Sequence, residues 1–334
     1  MDRLTDTYGR VVDYLRVSLT DTCNFRCTYC VPPEGVAPSL PGSMMSANEV
    51  VRLVRVASGM GIRRVRLTGG EPLLRPDLLE IVAGIKRSAR IEDLSITTNG
   101  SRLAPLLAPL RQAGLDRINI SLDALDRQRF QDLCGVDAYP QVRGAFEDAV
   151  SMGFPVKLNV VAVRGLSYDE VLGFTRIARE YPVEVRFLEF MPLCGSSWRP
   201  ELVIPIDIIR RIVKEHVELV ADGPRGAEVA ESCRVGGGLG RIGFIGSLTE
   251  SFCDSCSRVR VTSEGQVRPC LFSDVEVPLG EALRHGAGDA GIADALRLAV
   301  RLKPAGNLYR ERPFDRSGAS ESHIVSAVMK KIGG

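Results

Sequence analysis

Between Leu15 and about Phe190 the apolar positions of this chain follow two alternating rhythms. Short apolar runs at 15–19, 63–68, 94–98, 117–122, 156–163 and 183–190 predict strands. Stretches with helical spacing near 46–60, 77–90, 103–113, 139–152 and 168–181 separate them. Ser46 with Glu49 is a capping box, and Pro76-Asp77 opens the next helix. Gly61, Gly114 and Gly153 follow predicted helix ends, where a left-handed cap is expected. Repeated strand–helix units imply a parallel sheet with right-handed crossovers. Six of them predict an α/β fold built as a barrel or most of one, with a doubly wound open sheet as the alternative.

The strands are not uniformly apolar, as buried parallel strands usually are. Arg16 stands between Leu15 and Val17, Arg66 between Val65 and Leu67, and Lys157 between Val156 and Leu158. Thr97 and Ser121 sit likewise. Side chains alternate faces along a strand, so these residues share one side of the sheet. Helices should cover the other side. A polar-lined lumen that holds an anionic ligand is therefore expected.

After Pro192 the pattern changes. A Gly/Ser/Pro-rich connection at 194–200 leads to a helix at about 205–216, then to glycine-laden segments up to about 270. Helices follow near 279–286, 289–301 and 321–331, and the chain ends in Gly333-Gly334. A boundary near residue 220 divides it into 1–220 and 221–334.

A chain of 334 residues accommodates one large α/β domain or two ordinary ones. Its 43 basic and 41 acidic residues nearly cancel, which argues against a nucleic-acid-binding surface over the whole molecule while allowing a local basic pocket. No apolar run approaches the length of a membrane span. The N-terminal stretch has no secretory h-region, and nine cysteines without one point to reduced thiols or metal ligands in a cytoplasmic protein.

Cys23, Cys27 and Cys30 lie within eight residues, just after the first predicted strand. Three thiolates on one loop can wrap an iron–sulfur cube, leaving one iron for a ligand that is not protein. A zinc site lacking a ligand, or chance clustering of core thiols, are the alternatives. Thr68-Gly69-Gly70-Glu71-Pro72 follows the next strand. Gly-Gly there lets backbone approach a ligand closely, and the acid beside it could receive an ammonium group. Cys253, Cys256 and Cys270 form a second triad, read as a second open cluster or a structural zinc site. Arg258-Val-Arg260-Val-Thr262 puts two guanidiniums on one strand face, suited to bidentate phosphate binding. Gly238-Leu-Gly240-Arg-Ile-Gly243 matches a dinucleotide fingerprint without the βαβ setting it needs. Cys134, Cys194 and Cys233 lack partners at ligand spacing, and His216, His285 and His323 are scattered.

Together these motifs resemble the radical S-adenosylmethionine superfamily and, within it, the GTP 3′,8-cyclases of molybdenum cofactor biosynthesis. The resemblance runs nearly the whole length. It rests on Cys23/Cys27/Tyr29/Cys30, Thr-Gly-Gly-Glu-Pro at 68–72, Thr-Thr-Asn-Gly at 97–100, Ser-Leu-Asp at 121–123, Arg-Phe-Leu-Glu-Phe-Met at 186–191, Cys253/Cys256/Cys270 and the terminal Gly-Gly. It implies a partial (β/α)6 barrel of the TIM type with a C-terminal cluster-binding domain. Two 4Fe–4S clusters are implied, the first on Cys23, Cys27 and Cys30, the second on Cys253, Cys256 and Cys270. Tyr29, Gly70, Ser121 and Met191 would contact S-adenosylmethionine. Arg16, Arg66, Thr97, Lys157, Arg258 and Arg260 would bind GTP. Arg258, Arg260, Gly333 and Gly334 would act in catalysis, the tail reaching into the active site. The implied reaction is reductive cleavage of S-adenosylmethionine, hydrogen abstraction from C3′ of GTP and bonding of C3′ to C8, a lyase-class cyclisation. An electron donor such as flavodoxin or ferredoxin, a downstream cyclic pyranopterin monophosphate synthase and a homodimer are the implied partners. Ser257 departs from the Asn that many relatives carry, and 313–326 matches no familiar ending.

Overall fold

The computed structural model describes residues 3–31, 39–40, 42–193, 196–221, 223, 228–284 and 288–307. Its first part runs β1 (Tyr14–Ser18), α1 (Ala47–Gly59), β2 (Arg64–Thr68), α2 (Leu78–Ser88), β3 (Asp93–Thr98), α3 (Leu107–Gln112), β4 (Arg117–Ser121), α4 (Arg127–Cys134), α5 (Tyr139–Ser151), β5 (Val156–Ala162), α6 (Tyr168–Glu180) and β6 (Glu184–Glu189). The expected strands and helices of this part all form. Ser46 and Glu49 make their reciprocal cap, whereas Asp77 turns its carboxylate to Arg75 rather than to the helix backbone. Gly61, Gly114 and Gly153 take positive φ. The unforeseen element is α4, capped by Asp126 and ended by left-handed Gly135.

The second part adds α7 (Ile206–Lys214), β7 (Leu219–Ala221), β8 (Glu231–Val235), β9 (Arg241–Ile245), β10 (Arg258–Val261), β11 (Gln266–Arg268), β12 (Val277–Pro278), α8 (Gly280–Arg284) and α9 (Gly288–Arg301). Gly238–Gly243 is not a phosphate loop: it closes the antiparallel β8–β9 hairpin and starts β9, and a Cβ on Gly240 would stand 2.3 Å from the Val183 carbonyl oxygen.

Among the described residues the strands form one sheet, ordered β12-β11-β10-β1-β2-β3-β4-β5-β6-β9-β8-β7. From β10 through β1–β6 to β9 every pairing is parallel. The six-stranded wall is thus a partial barrel, extended on both edges by strands from the second part. It curls, because residues of β1, β3, β4, β6, β9 and β10 all line one cavity. Outward-facing Leu15, Val17, Val65, Leu67, Ile118, Ile120 and Leu158 have no exposed surface and pack in one core with Leu53, Ile81, Phe146 and Phe174 of the helices. Each such side chain contributes about 1.5–3 kcal/mol by leaving water. That layer fixes the strand faces, and the opposite face is left to chemistry. Among the described residues no helix is long and apolar enough to cross a membrane.

Candidate active site

Strand register sets the inner face. Arg16 on β1 lies opposite Arg260 on β10 and Arg66 on β2, so three guanidiniums stand side by side across neighbouring strands. All three line the cavity with Arg258 and Thr97. Burial and crowding both disfavour their charge. Burial, then Arg260 and Arg66, pulls Arg16 well below its ordinary value; burial, then Arg258, brings Arg260 down to about 10; burial also lowers Arg66. Arg66 Nε and Thr97 Oγ1 are buried without a hydrogen-bond partner among the described residues. Buried donors are rarely left so, and like charges this close need an anion. Lys157 is different: it stands one inward position earlier on β5 than cavity-lining Asn159, outside the lining set. Its ammonium pairs with Glu184 at 2.7 Å, and burial lowers it to about 8.

The cysteine loop leaves β1 at one end of the same cavity, which Cys23, Cys27 and Cys30 all line. What holds this loop is the Gly-Gly after β2. Gly70 N–H donates to the Thr20 carbonyl at 2.6 Å, and Glu71 N–H to the Thr22 carbonyl at 2.8 Å. A Cβ on Gly70 would fall 2.2 Å from Thr22 O, and one on Gly69, at φ +145°, would fall 2.4 Å from Thr20 O. The chain itself approaches these glycines closely, and both also border the cavity. Glu71 is buried and accepts from Leu73 N, Thr98 Oγ1 and Asn99 N; burial raises it to about 7. Tyr29 donates to Asp123 Oδ2 at 2.5 Å, and Asp123 Oδ1 takes the Val161 amide. Tyr29, Gly70, Ser121 and Met191 all border the cavity.

At the other end stand Cys253, Cys256 and Cys270. Burial would raise Cys256, but Arg258 and Lys303 outweigh it and bring the thiol down to about 6. Lys303 Nζ lies 3.3 Å from Cys256 Sγ, and the Asn307 amide 3.3 Å from Cys253 Sγ. Arg258 also stacks on Phe252, 4.8 Å from its ring centre.

Among the described residues no three His, Cys, Asp or Glu side chains gather around a single metal ion. The thiols ring a cavity instead, which fits a group whose several irons each take one thiolate. N–H donors already point at these sulfurs, Phe25 N at Cys23 and Asn307 N at Cys253, as a bound thiolate requires.

Residues 17–178 match the radical SAM superfamily model, and residues 183–309 match Molybdenum Cofactor Synthesis C. The chain is 39% identical over 310 residues to the GTP 3′,8-cyclase of Syntrophomonas wolfei, covering 90% of this chain and 94% of that one. It is 36% identical over 340 residues to the GTP 3′,8-cyclase of Desulforamulus reducens, covering 99% and 100%. The chain belongs to the GTP 3′,8-cyclase family. Membership makes it a radical SAM enzyme that uses S-adenosylmethionine and iron–sulfur clusters. Molybdenum cofactor biosynthesis protein 1 of Drosophila melanogaster is 39% identical over 90% of this chain, which spans about half (54%) of that relative's length. Among solved structures, Streptococcus suis SuiB bound to S-adenosylmethionine superposes with TM-score 0.59 at 15% identity, over 88% of this chain and 69% of that one, a likeness of fold.

Within this family frame, some site residues escaped the sequence reading. Lys303 and Asn307 border the cavity from a segment with no motif. Arg186 carries no signal beyond its place in the 186–191 motif, yet its guanidinium reaches Glu184 at 2.9 Å and borders the cavity. Cys134, expected as an incidental buried thiol, also borders it and is held well up by a hydrogen bond with Cys27. Gly333, Gly334, Cys194, His285, His323 and the helix at 321–331 lie outside the described residues.

Proposed function

We propose that this chain is a GTP 3′,8-cyclase that converts GTP to 3′,8-cyclo-7,8-dihydro-GTP, the first step towards molybdopterin. The row of guanidiniums Arg260–Arg16–Arg66, buried or half-buried and facing one cavity between two cysteine triads, carries this reading. Arg16, Arg66, Arg258 and Arg260 hold the triphosphate, and Thr97 takes a further polar atom of the nucleotide. A triphosphate oxygen supplies the acceptor that Arg66 Nε lacks. Lys157, tied to Glu184, extends the positive floor beneath.

Cys23, Cys27 and Cys30 hold one 4Fe–4S cluster, and Cys253, Cys256 and Cys270 hold the other. When bound, the first cluster and S-adenosylmethionine supply one-electron cleavage to a hydrogen-abstracting species. The protein's share is placement. Tyr29, Gly70, Ser121 and Met191 seat S-adenosylmethionine, and Phe252, Leu271 and Phe272 close an apolar side against water. Arg258 and Arg260 act closest to the reacting nucleotide, joined by the Gly333-Gly334 tail. Residues 1–220 form the barrel unit and 221–334 the unit that carries the second cluster. A flavodoxin or ferredoxin supplies electrons, a cyclic pyranopterin monophosphate synthase takes the product, and the enzyme works in the cytoplasm as a homodimer.

The test is anaerobic turnover of reconstituted protein with GTP, S-adenosylmethionine and a reductant, followed by mass spectrometry. 5′-Deoxyadenosine and cyclised GTP are both expected, and both vanish in Cys23→Ala. Deoxyadenosine without a GTP product would redirect the search to peptide substrates. Neither product, in protein holding about eight irons, the content of two four-iron clusters, would end the cyclase reading.

A further inference from the structure

Segment 303–307 runs against the second triad and is pinned from an unexpected place. Arg10, near the N-terminus and buried, donates from Nη1 to the carbonyls of Cys253 and Ala305, each at 2.8 Å. Its Nη2 reaches the Pro304 carbonyl at 2.5 Å. Asp6, also buried, holds this guanidinium at Nε and accepts from the Arg10 amide. One arginine thus ties a cysteine of the second triad to the segment that follows α9. That segment presents donors to two of the three sulfurs. Lys303 Nζ is shared among Cys256 Sγ at 3.3 Å and the carbonyls of Arg258 and Pro269 at 2.8 and 3.1 Å. The Asn307 amide faces Cys253 Sγ, and its side chain is anchored on the Ser247 carbonyl at 2.8 Å. Lys303 is only 4% exposed and has no carboxylate partner among the described residues. A buried ammonium needs a counter-charge, and thiolate sulfur is what lies in reach.

We propose that residues 303–307 form a strap over the second cluster. Lys303 and the Asn307 amide donate to its thiolates and raise its reduction potential. Arg10, oriented by Asp6, is the positioning residue that keeps the strap in place. The inference rests on the reading of Cys253, Cys256 and Cys270 as a cluster site. Donors to cluster sulfurs stabilise the more negative, reduced state, so their loss lowers the potential.

The test uses the full chain with Cys23, Cys27 and Cys30 replaced by Ala, reconstituted anaerobically, so that only the second cluster is read. Iron content and an electron paramagnetic resonance redox titration are followed. Lys303→Met is expected to keep its iron and to disfavour reduction about tenfold, about 59 mV for a one-electron couple. Lys303→Gln, which keeps a donor without charge, should fall between. Arg10→Gln leaves Lys303 intact, and should shift the potential in the same direction and speed iron loss to a chelator. Iron retained with an unmoved potential in Lys303→Met overturns the tuning role; the same result in Arg10→Gln overturns the positioning role. No iron at this triad in the parent protein would sink the cluster reading, and the strap with it.

Discussion

The two cysteine triads present the same number of thiols to one cavity from opposite electrostatic settings. Around the first, the buried charged side chains that border the cavity are acids. Glu71 and Asp123 are buried there, raised by burial to about 7 and about 6, and burial lifts Cys23 to about 11. Around the second they are cations: Arg258 and Lys303 hold Cys256 at about 6, and Arg260 stands beside them. An end lined by acids suits a cationic sulfonium with its ammonium group, and an end lined by guanidiniums suits a polyphosphate. Ligand count alone would not separate the two sites. The neighbouring charges do.

The largest effect should come from taking one thiol at each end. Cys23→Ala is expected to abolish deoxyadenosine formation, whereas Cys256→Ala should keep some of it while losing the cyclised product. Equal loss of both activities in both variants would erase the distinction. Next, Gly70→Ala must push Thr22, and the cysteine loop with it, away from residue 70. It should therefore empty the first triad of iron and leave the second filled, as iron analysis and Mössbauer spectra would report. Removing one guanidinium of the row, in Arg66→Ala, costs charge-assisted hydrogen bonds of about 1.5–3 kcal/mol each. GTP affinity by calorimetry should fall about 10- to 150-fold, with S-adenosylmethionine affinity nearly unchanged. The smallest effect concerns pH. Glu71 binds its proton more tightly folded than unfolded, where 4.5 is its ordinary value, so it costs stability as pH rises from 4.5 to about 7. Glu71→Gln should remove a downward slope of at most ~1.4 kcal/mol per pH unit in that window, seen in the melting of apoprotein. A slope that stays the same would place the carboxylate in water.

Much of this was legible in the pattern of residues. Arg16, Arg66 and Thr97 announced an inner face because a covered parallel strand has no other use for them, and Arg258 and Arg260 share that face as their alternation required. The helix α4 was hidden because only Phe130 and Cys134 of it are buried, too few to mark a period. Lys157 followed the alternation yet sits a layer below the cavity, since alternation gives the side of a sheet and not the depth along it. The backbone partner of Gly69-Gly70 was hidden for a related reason: a glycine pair shows that something comes close without naming it, and residues 20–22 do so here. Lys303 and Arg10 were invisible because they act across 47 and 243 residues of sequence, where spacing carries no signal.

The sheet order has a consequence for how the chain is made. β1 pairs on one side with β2, formed soon after it, but its other neighbour is β10, whose first residue is Arg258. At about 5–20 residues per second, a ribosome needs roughly ten to fifty seconds to deliver that partner. Until then the β1 edge of this arginine-lined sheet is an open rim of unpaired amides, the kind of rim that recruits other strands. A chain stopped before β10 should be found in the pellet, and the same chain supplied in trans with residues 228–334 should return in part to the supernatant. The last third of the sequence then serves twice, once to seal the wall during synthesis and again, in the function proposed above, at every turnover.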